Sequence, residues 1–155
     1  MAATKPIPEG YGSAIPYLTI RGAAEAIAFY QAAFDATLLM RLNMPNGSVM
    51  HAEMRVGSAL FMLSEENADW GTKSPSALGD TPVSLMIYVD DVDAFVARAV
   101  AAGATLTMPV SDQFYGDRAG CLTDPFGHKW MFATHIEDPT EEEIARRAAE
   151  LFGKG

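Results

Sequence analysis

The chain contains the same pattern of elements twice, and this internal repeat constrains the fold more than any single motif. The segment "DATLLM" begins at Asp35 and "GATLTM" begins at Gly103, an offset of 68 residues (35 to 103). The same offset places Ile20 under Tyr88 and residues 23–34 under residues 91–102, within one residue of the second helical pattern at 92–103. Few residues are identical, but a fixed offset predicts one structural unit that was copied.

Each copy predicts the element order strand, helix and three strands. The helices are indicated by apolar residues one turn apart, and the strands by short apolar runs bounded by turn residues. Asn46-Gly47 predicts a hairpin turn, and Asp90 or Asp91 can cap the second helix. The first copy has a helix at 23–34 and strands at 15–20, 37–44, 49–56 and 59–64; the second has a helix at 92–103 and strands at 83–89, 104–110, 119–124 and 128–136.

The remaining segments are two polar connections and a terminal helix. Residues 111–120 are expected to form a long loop of the second copy. Thr140 and Glu143 form a capping-box pattern, and the apolar residues that follow predict a helix. We therefore expect a single domain over 1–155, with module one at 14–64, a linker loop at 65–82, module two at 83–137 and a C-terminal helix at 140–152.

Composition excludes several classes of protein. The net charge of −9 argues against binding the phosphate backbone of nucleic acids. The only cysteine is Cys121, so neither an intrachain disulfide nor a cysteine-based zinc cluster can form. No apolar run is long enough to span a membrane, and the first residues lack the apolar core of a signal peptide. A cytoplasmic protein is the simplest expectation.

Five motifs occur in the order that one protein family has them: "PYLTI", "AIAFYQAAF", "HAEMRVGSALFMLSEE", "PSALGDTPVSLMIYVDDVD" and "DPFGHKW". With the repeat, they make the chain similar to the glyoxalase/bleomycin resistance protein/dioxygenase superfamily, the vicinal oxygen chelate fold, and within it to the PhnB-like, glyoxalase-like subgroup. The resemblance implies an α+β fold in which two tandem βαβββ modules form a curved mixed sheet that encloses a cup. It also implies a homodimer.

Metal-dependent members of this family hold one divalent ion with His, Gln or Glu side chains from the first and last strands of each module. In this sequence those positions fall near Ile15–Tyr17 and Ser84, and near Met62 and Met131. Hydroxyl and thioether groups are poor ligands for hard divalent cations. We therefore expect no metal at the usual positions and no cofactor, although a divalent metal held by other residues remains an alternative.

Alternation along the strands assigns side chains to the two faces of each sheet. Leu18, Ile20, Met54 and Ile87 suit the helix-covered face. The opposite face would line the cup, and the loops would supply aromatic and cationic residues at its mouth. The candidate ligand-binding residues are Tyr17, His51, Glu53, Met62, Trp70, Ser84, Met86, Tyr88, Tyr115, Arg118 and Met131.

His51 and Glu53 are the candidate catalytic residues because they lie two apart on one strand face and can point into one cavity. The alternative is a hydrogen-bonded polar pair in the wall of the cup. Arg118 is the candidate contact for an anionic group. His128 and His135, in "LTDPFGHKWMFATHIED", are expected to be incidental, His128 as an exposed residue after the turn and His135 as a surface partner of nearby carboxylates.

Two function classes follow. The first is a binding protein that holds a small hydrophobic or cationic molecule in the cup without the usual metal. The second is a metal-dependent lyase, isomerase or dioxygenase that uses a non-standard site around His51 and Glu53, or uses this pair for acid–base chemistry. Measurement of metal in the purified protein distinguishes the two classes.

Overall fold

The structure is a computed structural model that describes residues 4–153, and the chain divides into two compact units between Thr81 and Pro82. The elements of the first unit are β1 (Tyr17–Ile20), α1 (Ala23–Phe34), β2 (Thr37–Asn43), β3 (Val49–Val56), β4 (Ala59–Glu65), a short 3₁₀ helix (Ala68–Trp70) and α2 (Pro75–Leu78). Those of the second are β5 (Ser84–Tyr88), α3 (Val92–Ala101), β6 (Thr105–Asp112), β7 (Asp117–Thr123), β8 (Lys129–His135) and α4 (Glu141–Phe152).

Each unit contains a four-stranded mixed sheet, and the two sheets have the same topology. The strand order is β1-β4-β3-β2 in the first unit and β5-β8-β7-β6 in the second. The first and last strands of each unit pair in parallel, whereas the other neighbours are antiparallel. The predicted α+β fold with two βαβββ units and a C-terminal helix is confirmed.

The core of the first unit lies between α1 and one face of its sheet. Ile27, Tyr30 and Phe34, which are one helical turn apart, are each at most 3% exposed. Tyr30 meets Phe61 of β4 edge to face, with ring centroids 5.5 Å apart. Full burial of an aromatic side chain of this size contributes about 1.5–3 kcal/mol. The helical spacing alone was sufficient to predict this face.

The two units cap their first helix with different chemistry at the same place. In the first unit the carboxylate of Glu65, at the end of β4, accepts hydrogen bonds from the backbone N–H groups of Gly22 and Ala23. In the second unit the hydroxyl of Thr134 accepts from the backbone N–H of Val92. Both satisfy donors that a helix leaves free at its N-terminus.

The core of the second unit centres on Trp130, which is 1% exposed. Its indole Nε1–H donates to Asp124 at 2.9 Å, and Asp124 also accepts from the backbone N–H groups of Phe126 and His128. The expectation that His128 is exposed was wrong, because it is only 7% exposed. Because the carboxylate of Asp124 accepts from the backbone N–H of His128, the turn folds toward the core and His128 is buried with it.

Two predicted loops are shorter than the sequence indicated. Residues 65–82 contain the 3₁₀ helix and α2, whose Ser74 side chain accepts from the backbone N–H of Ala77. Residues 111–120 are mostly strand, because β6 and β7 continue to Asp112 and from Asp117 and leave only residues 113–116 between them. The polar residues at the end of β6 and the start of β7 were mistaken for a loop, although Asp117 is buried.

The predicted helix caps are confirmed in part. Asp91 caps α3 by accepting from the backbone N–H of Ala94. Thr140 caps α4 by accepting from the N–H of Glu143, but the carboxylate of Glu143 bonds Arg146 and Arg147 rather than closing the box. No helix within residues 4–153 has the length and apolar character needed to cross a membrane.

Candidate functional site

The face of the first sheet that α1 leaves uncovered carries a chain of hydrogen-bonded side chains. Ala52, Met54 and Val56 of β3 are buried, so the alternate residues His51 and Glu53 point to the opposite face. The hydroxyl of Tyr17, on β1, lies 2.6 Å from His51 Nδ1. His51 Nε2 lies 3.2 Å from Glu53 Oε1. The predicted grouping of Tyr17, His51 and Glu53 is therefore present within one unit.

Residues 4–14, which we call the strap, reach β3, one of the two central strands of this sheet. The strap turns where the backbone N–H of Tyr11 bonds the carbonyl of Pro8 at 3.2 Å and Gly10 takes a φ of 82°. The side chain of Tyr11 then donates a hydrogen bond to Glu53 Oε2. Glu53 is only 8% exposed and sits where the strap meets the sheet.

A cavity of about 500 Å³ lies at this junction. Its lining consists of six strap residues together with Ile15, Glu53 and Met62. Apart from Glu53, the lining is apolar or carries only hydroxyl groups. A mostly apolar cavity of this volume with a few placed polar groups is typical of small-molecule sites.

The hydrogen bonds fix the charge of Glu53. The bond from Tyr11 lowers the pKa of Glu53 below its ordinary value, burial opposes this shift, and the bond and charge of His51 add to the lowering. The same contact raises the pKa of Tyr11, with burial and the negative charge of Glu53 adding and Arg55 opposing. Glu53 is thus ionised and Tyr11 protonated at neutral pH.

The ionised carboxylate also determines where the protons lie. Because Glu53 can only accept, the proton of the contact with His51 belongs to Nε2. In neutral imidazole Nδ1 is then an acceptor, and the hydroxyl of Tyr17 donates a hydrogen bond to it. Two donors, from Tyr11 and His51, converge on Glu53, which leaves part of its acceptor capacity free.

One polar group on this face is unsatisfied. Arg55 follows Glu53 by two residues, and its Nε is buried with no hydrogen-bond partner among residues 4–153. A side chain added at Gly10 of the strap would come within 3.7 Å of Arg55 Nη2. The strap thus covers this guanidinium as well as Glu53.

The positions of the family's metal ligands are neighbours in the first sheet but not in the second. Tyr17 pairs with Met62 across β1 and β4, whereas Ser84 pairs with Lys129 and Met131 pairs with Met86 across β5 and β8. Phenol and thioether groups do not suit a hard divalent cation, so these residues do not fit the ion. Among the described residues, no group of three or more His, Cys, Asp or Glu side chains is placed to hold a metal.

The other predicted site residues have different surroundings. Trp70, Ser84 and Met86 are exposed, and Tyr115 is half-buried in the short turn after β6. The guanidinium of Arg118 donates two hydrogen bonds to Asp93 and one to Asp112, all within 2.8 Å. Those carboxylates occupy the donors that an anionic ligand would need.

A second hydrogen-bond cluster surrounds Asp117, which is 3% exposed. The hydroxyl of Tyr88 donates to Asp117 Oδ2 at 2.8 Å, and His135 Nδ1 lies 2.8 Å from Oδ1. His135 Nε2 lies 2.9 Å from Asp138. Both carboxylates raise the pKa of His135, the bond to Asp138 most and the bond to Asp117 next. His135 is therefore a partner of carboxylates, as the sequence indicated.

Sequence reasoning missed the strap. Tyr11 completes the environment of Glu53, but residues 4–14 have neither helical nor strand periodicity and were considered only as a possible signal peptide. The available signal was Gly10-Tyr11-Gly12, an aromatic residue between two flexible ones after two prolines. Such a pattern indicates a turn that presents one side chain.

Comparison with known proteins agrees with the repeat and the topology. The sequence profile of the Glyoxalase/Bleomycin resistance protein/Dioxygenase superfamily matches residues 15–132. An uncharacterized protein of Mycobacterium bovis is 42% identical over 132 residues, which cover 83% of this chain and 87% of that protein.

Solved structures of similar fold also match the chain. The crystal structure of TioX from Micromonospora sp. ML1 matches with a TM-score of 0.64 at 26% identity, covering 83% of this chain and 100% of that one. A PhnB protein from Bacillus cereus, described as a putative 3-demethylubiquinone-9 3-methyltransferase, matches in fold with a TM-score of 0.59 at 22% identity, covering 79% and 99%.

Proposed function

The chain belongs to the glyoxalase/bleomycin resistance protein/dioxygenase superfamily, and from this premise we propose that it binds a small organic molecule without a metal ion at the family's usual positions. The proposed binding site is the cavity between the strap and the first sheet. The bound molecule would pack against Ile15 and Met62 and form polar contacts with Glu53.

The observation that carries the proposal is an ionised, nearly buried carboxylate in an otherwise uncharged cavity. A charge removed from water is costly unless its surroundings compensate for it. Glu53 receives this compensation from Tyr11, on a segment outside the sheet. A purely structural sheet surface could be covered by apolar side chains alone, whereas a buried acceptor with free lone pairs suits the recognition of a ligand.

A second candidate function is acid–base catalysis by His51 and Glu53. The observation that favours it is the continuous chain from the exposed Tyr17 through His51 to Glu53, with links of 2.6 and 3.2 Å. Such a chain can move a proton between solvent and the cavity. Its Tyr17 end is 52% exposed, so protons can exchange with water there.

The test is a fragment screen read by methyl and amide NMR of the full chain. We expect hits that shift Ile7, Ile15 and Met62, and we expect Ile15→Trp, which fills the cavity, to abolish those shifts. The matched control is Val83→Trp, at a residue that is 61% exposed and outside the cavity. Hits that shift other residues, or that survive Ile15→Trp, would refute the proposed site.

Metal analysis of the purified protein separates the two functions further. The binding function predicts no stoichiometric divalent metal, whereas a metal-dependent lyase, isomerase or dioxygenase requires one that is lost with activity on chelation.

We also propose a cytoplasmic homodimer. Leu39 and Leu42 support it as exposed apolar side chains on the edge strand β2. Light scattering that gives only a monomer at micromolar concentration would contradict the dimer.

A further inference from the structure

Resting on the proposed function, we infer that the cavity under the strap selects molecules that carry a protonated amine on an apolar body, with Glu53 as the counter-ion. The shape and volume of the cavity fit many small molecules. Charge distinguishes among them, because the groups around Glu53 leave its negative charge without a cation in contact.

Glu53 is a negative charge with no permanent cation in salt-bridge contact among residues 4–153, although Arg55 lies two residues along the same strand face. Its hydrogen-bond partners among the described residues are the phenol of Tyr11 and the imidazole of His51. A phenol is neutral when it donates, and imidazole carries a full charge only when protonated. The only salt-bridge geometry of Glu53 within residues 4–153 is the one with His51. An ammonium group would supply the missing charge.

The carboxylate has room for such a group. An ionised carboxylate offers about four acceptor positions on its two oxygens. Tyr11 occupies one position on Oε2, and His51 occupies one on Oε1. The remaining positions can accept N–H donors from a molecule in the cavity, so the ligand does not need to displace Tyr11.

The second unit provides an internal comparison. Glu53 lies between Met40 and Met62 in the register of the first sheet, and Cys121 lies between Met108 and Met131 in the second. Burial raises the pKa of the Cys121 thiol and so favours its neutral form. The same position in the repeat is therefore charged in one unit and neutral in the other, and the fold itself does not require a charge there.

The rest of the lining favours an apolar body beside the amine. Ile7, Ile15 and Met62 supply aliphatic surface, and the prolines at 6 and 8 add more. The ring of Tyr11 can also contact a cation through its face. An apolar molecule with one ammonium group matches these groups, whereas a carboxylate group would be repelled by Glu53.

The test uses three probes of one shape that differ only in charge: 3-phenylpropylammonium, 3-phenylpropanol and 3-phenylpropionate. Affinities for the full chain are measured from methyl shifts of Ile7, Ile15 and Met62. In the wild type the ammonium should bind about tenfold or more tightly than the alcohol, the range for one charge-assisted hydrogen bond. The propionate should bind most weakly.

Two variants assign the preference to Glu53. Glu53→Gln should remove the advantage of the ammonium while leaving the affinity for the alcohol nearly unchanged. Glu9→Gln removes the same charge from an exposed part of the strap and should keep the advantage. Since Glu53→Gln could disturb the fold, the order of the three probes in the wild type is an independent test.

The outcomes separate this inference from the proposed function. Equal affinity for ammonium and alcohol, or an advantage that survives Glu53→Gln, overturns the inference and leaves the binding function standing. Tightest binding of the propionate also overturns it and points to Arg55. If no probe shifts the three methyl-bearing residues at millimolar concentration, both the inference and the proposed function fail.

Discussion

The hydroxyl of Tyr11 donates a hydrogen bond to the carboxylate of Glu53, 42 residues later in the chain. This contact joins a segment without regular structure to the interior of the first sheet. It covers one wall of a cavity, keeps Glu53 ionised and places a phenol beside it. The proposed function depends on these three consequences.

Removal of the Tyr11 hydroxyl should open the strap. In Tyr11→Phe the largest influence that lowers the pKa of Glu53 is lost, so this pKa should rise toward its ordinary value. Amide exchange of strap residues should become faster because their contact with the sheet is weaker. Carboxyl NMR titration and hydrogen exchange measure the two effects.

Tyr17→Phe is the matched control, because Tyr17 bonds His51 and is not part of the strap. It should leave strap exchange unchanged. Equal protection of the strap in the wild type and Tyr11→Phe would show that Tyr11 does not hold it.

The His135 cluster predicts loss of stability on the alkaline side. Asp138 and Asp117 raise the pKa of His135 above its ordinary 6.5. The folded state thus favours the protonated form, so this stabilisation is complete below pH 6.5 and is lost as pH rises through the higher folded pKa. We expect imidazole NMR to show this raised pKa.

Asp138→Asn should lower the pKa of His135 and shrink the pH dependence of the unfolding free energy. A pKa of His135 at or below its ordinary value in the wild type would contradict the contacts with Asp117 and Asp138. Arg118, which bonds Asp93 and Asp112 instead, should be insensitive to this substitution.

The hydrogen bonds to Glu66 predict a loss of folding stability at low pH. Hydrogen bonds from Ser74 and Arg21 lower its pKa from 4.5 to about 2. The stabilisation is present above pH 4.5 and is lost as pH falls through about 2, since protonation removes the charge that these donors prefer. The amide resonance of Ser74, which donates to Glu66 at 3.0 Å, should report this transition.

In Glu66→Gln the acid transition of Ser74 should disappear, and exchange in residues 67–78 should become faster. A Ser74 amide that titrates near pH 4.5 in the wild type would show that Glu66 is not held by these donors. A transition that persists in the variant would assign it to another carboxylate.

Two glycines with left-handed φ values allow the cost of backbone strain to be compared with the added cost of steric overlap. A Cβ at Gly47, at φ +86°, meets nothing within 4 Å, so Gly47→Ala should cost about 1–2 kcal/mol for the conformation alone. A Cβ at Gly116, at φ +103°, would lie 2.3 Å from the carbonyl oxygen of Glu137. Gly116→Ala should therefore destabilise distinctly more, as measured by chemical denaturation. Equal losses would contradict the close approach at Gly116.

Most of the fold could be predicted because it depends on periodicity. The repeat, the apolar stripe of α1 and the alternation along β3 can all be recognised from the spacing of residues in the sequence. The burial of Ile27, Tyr30 and Met54 follows from these patterns. Alternation also placed Tyr17, His51 and Glu53 on one face. These inferences needed no knowledge of distant contacts.

The rest depended on contacts between residues far apart in the chain. The bond from Tyr11 to Glu53 and the fork between Arg118 and Asp93 join segments whose separation no local pattern encodes. The burial of His128 depends on how Asp124 folds one turn. Such contacts are set by tertiary packing, so the sequence could indicate the residues but not their partners.

The most direct test of the central claim is a crystal structure of the full chain soaked with 3-phenylpropylammonium. We expect electron density beside Ile15 and Met62, with the ammonium nitrogen within about 3 Å of a carboxylate oxygen of Glu53. A probe found at another surface, or the same density in crystals of Glu53→Gln, would contradict it.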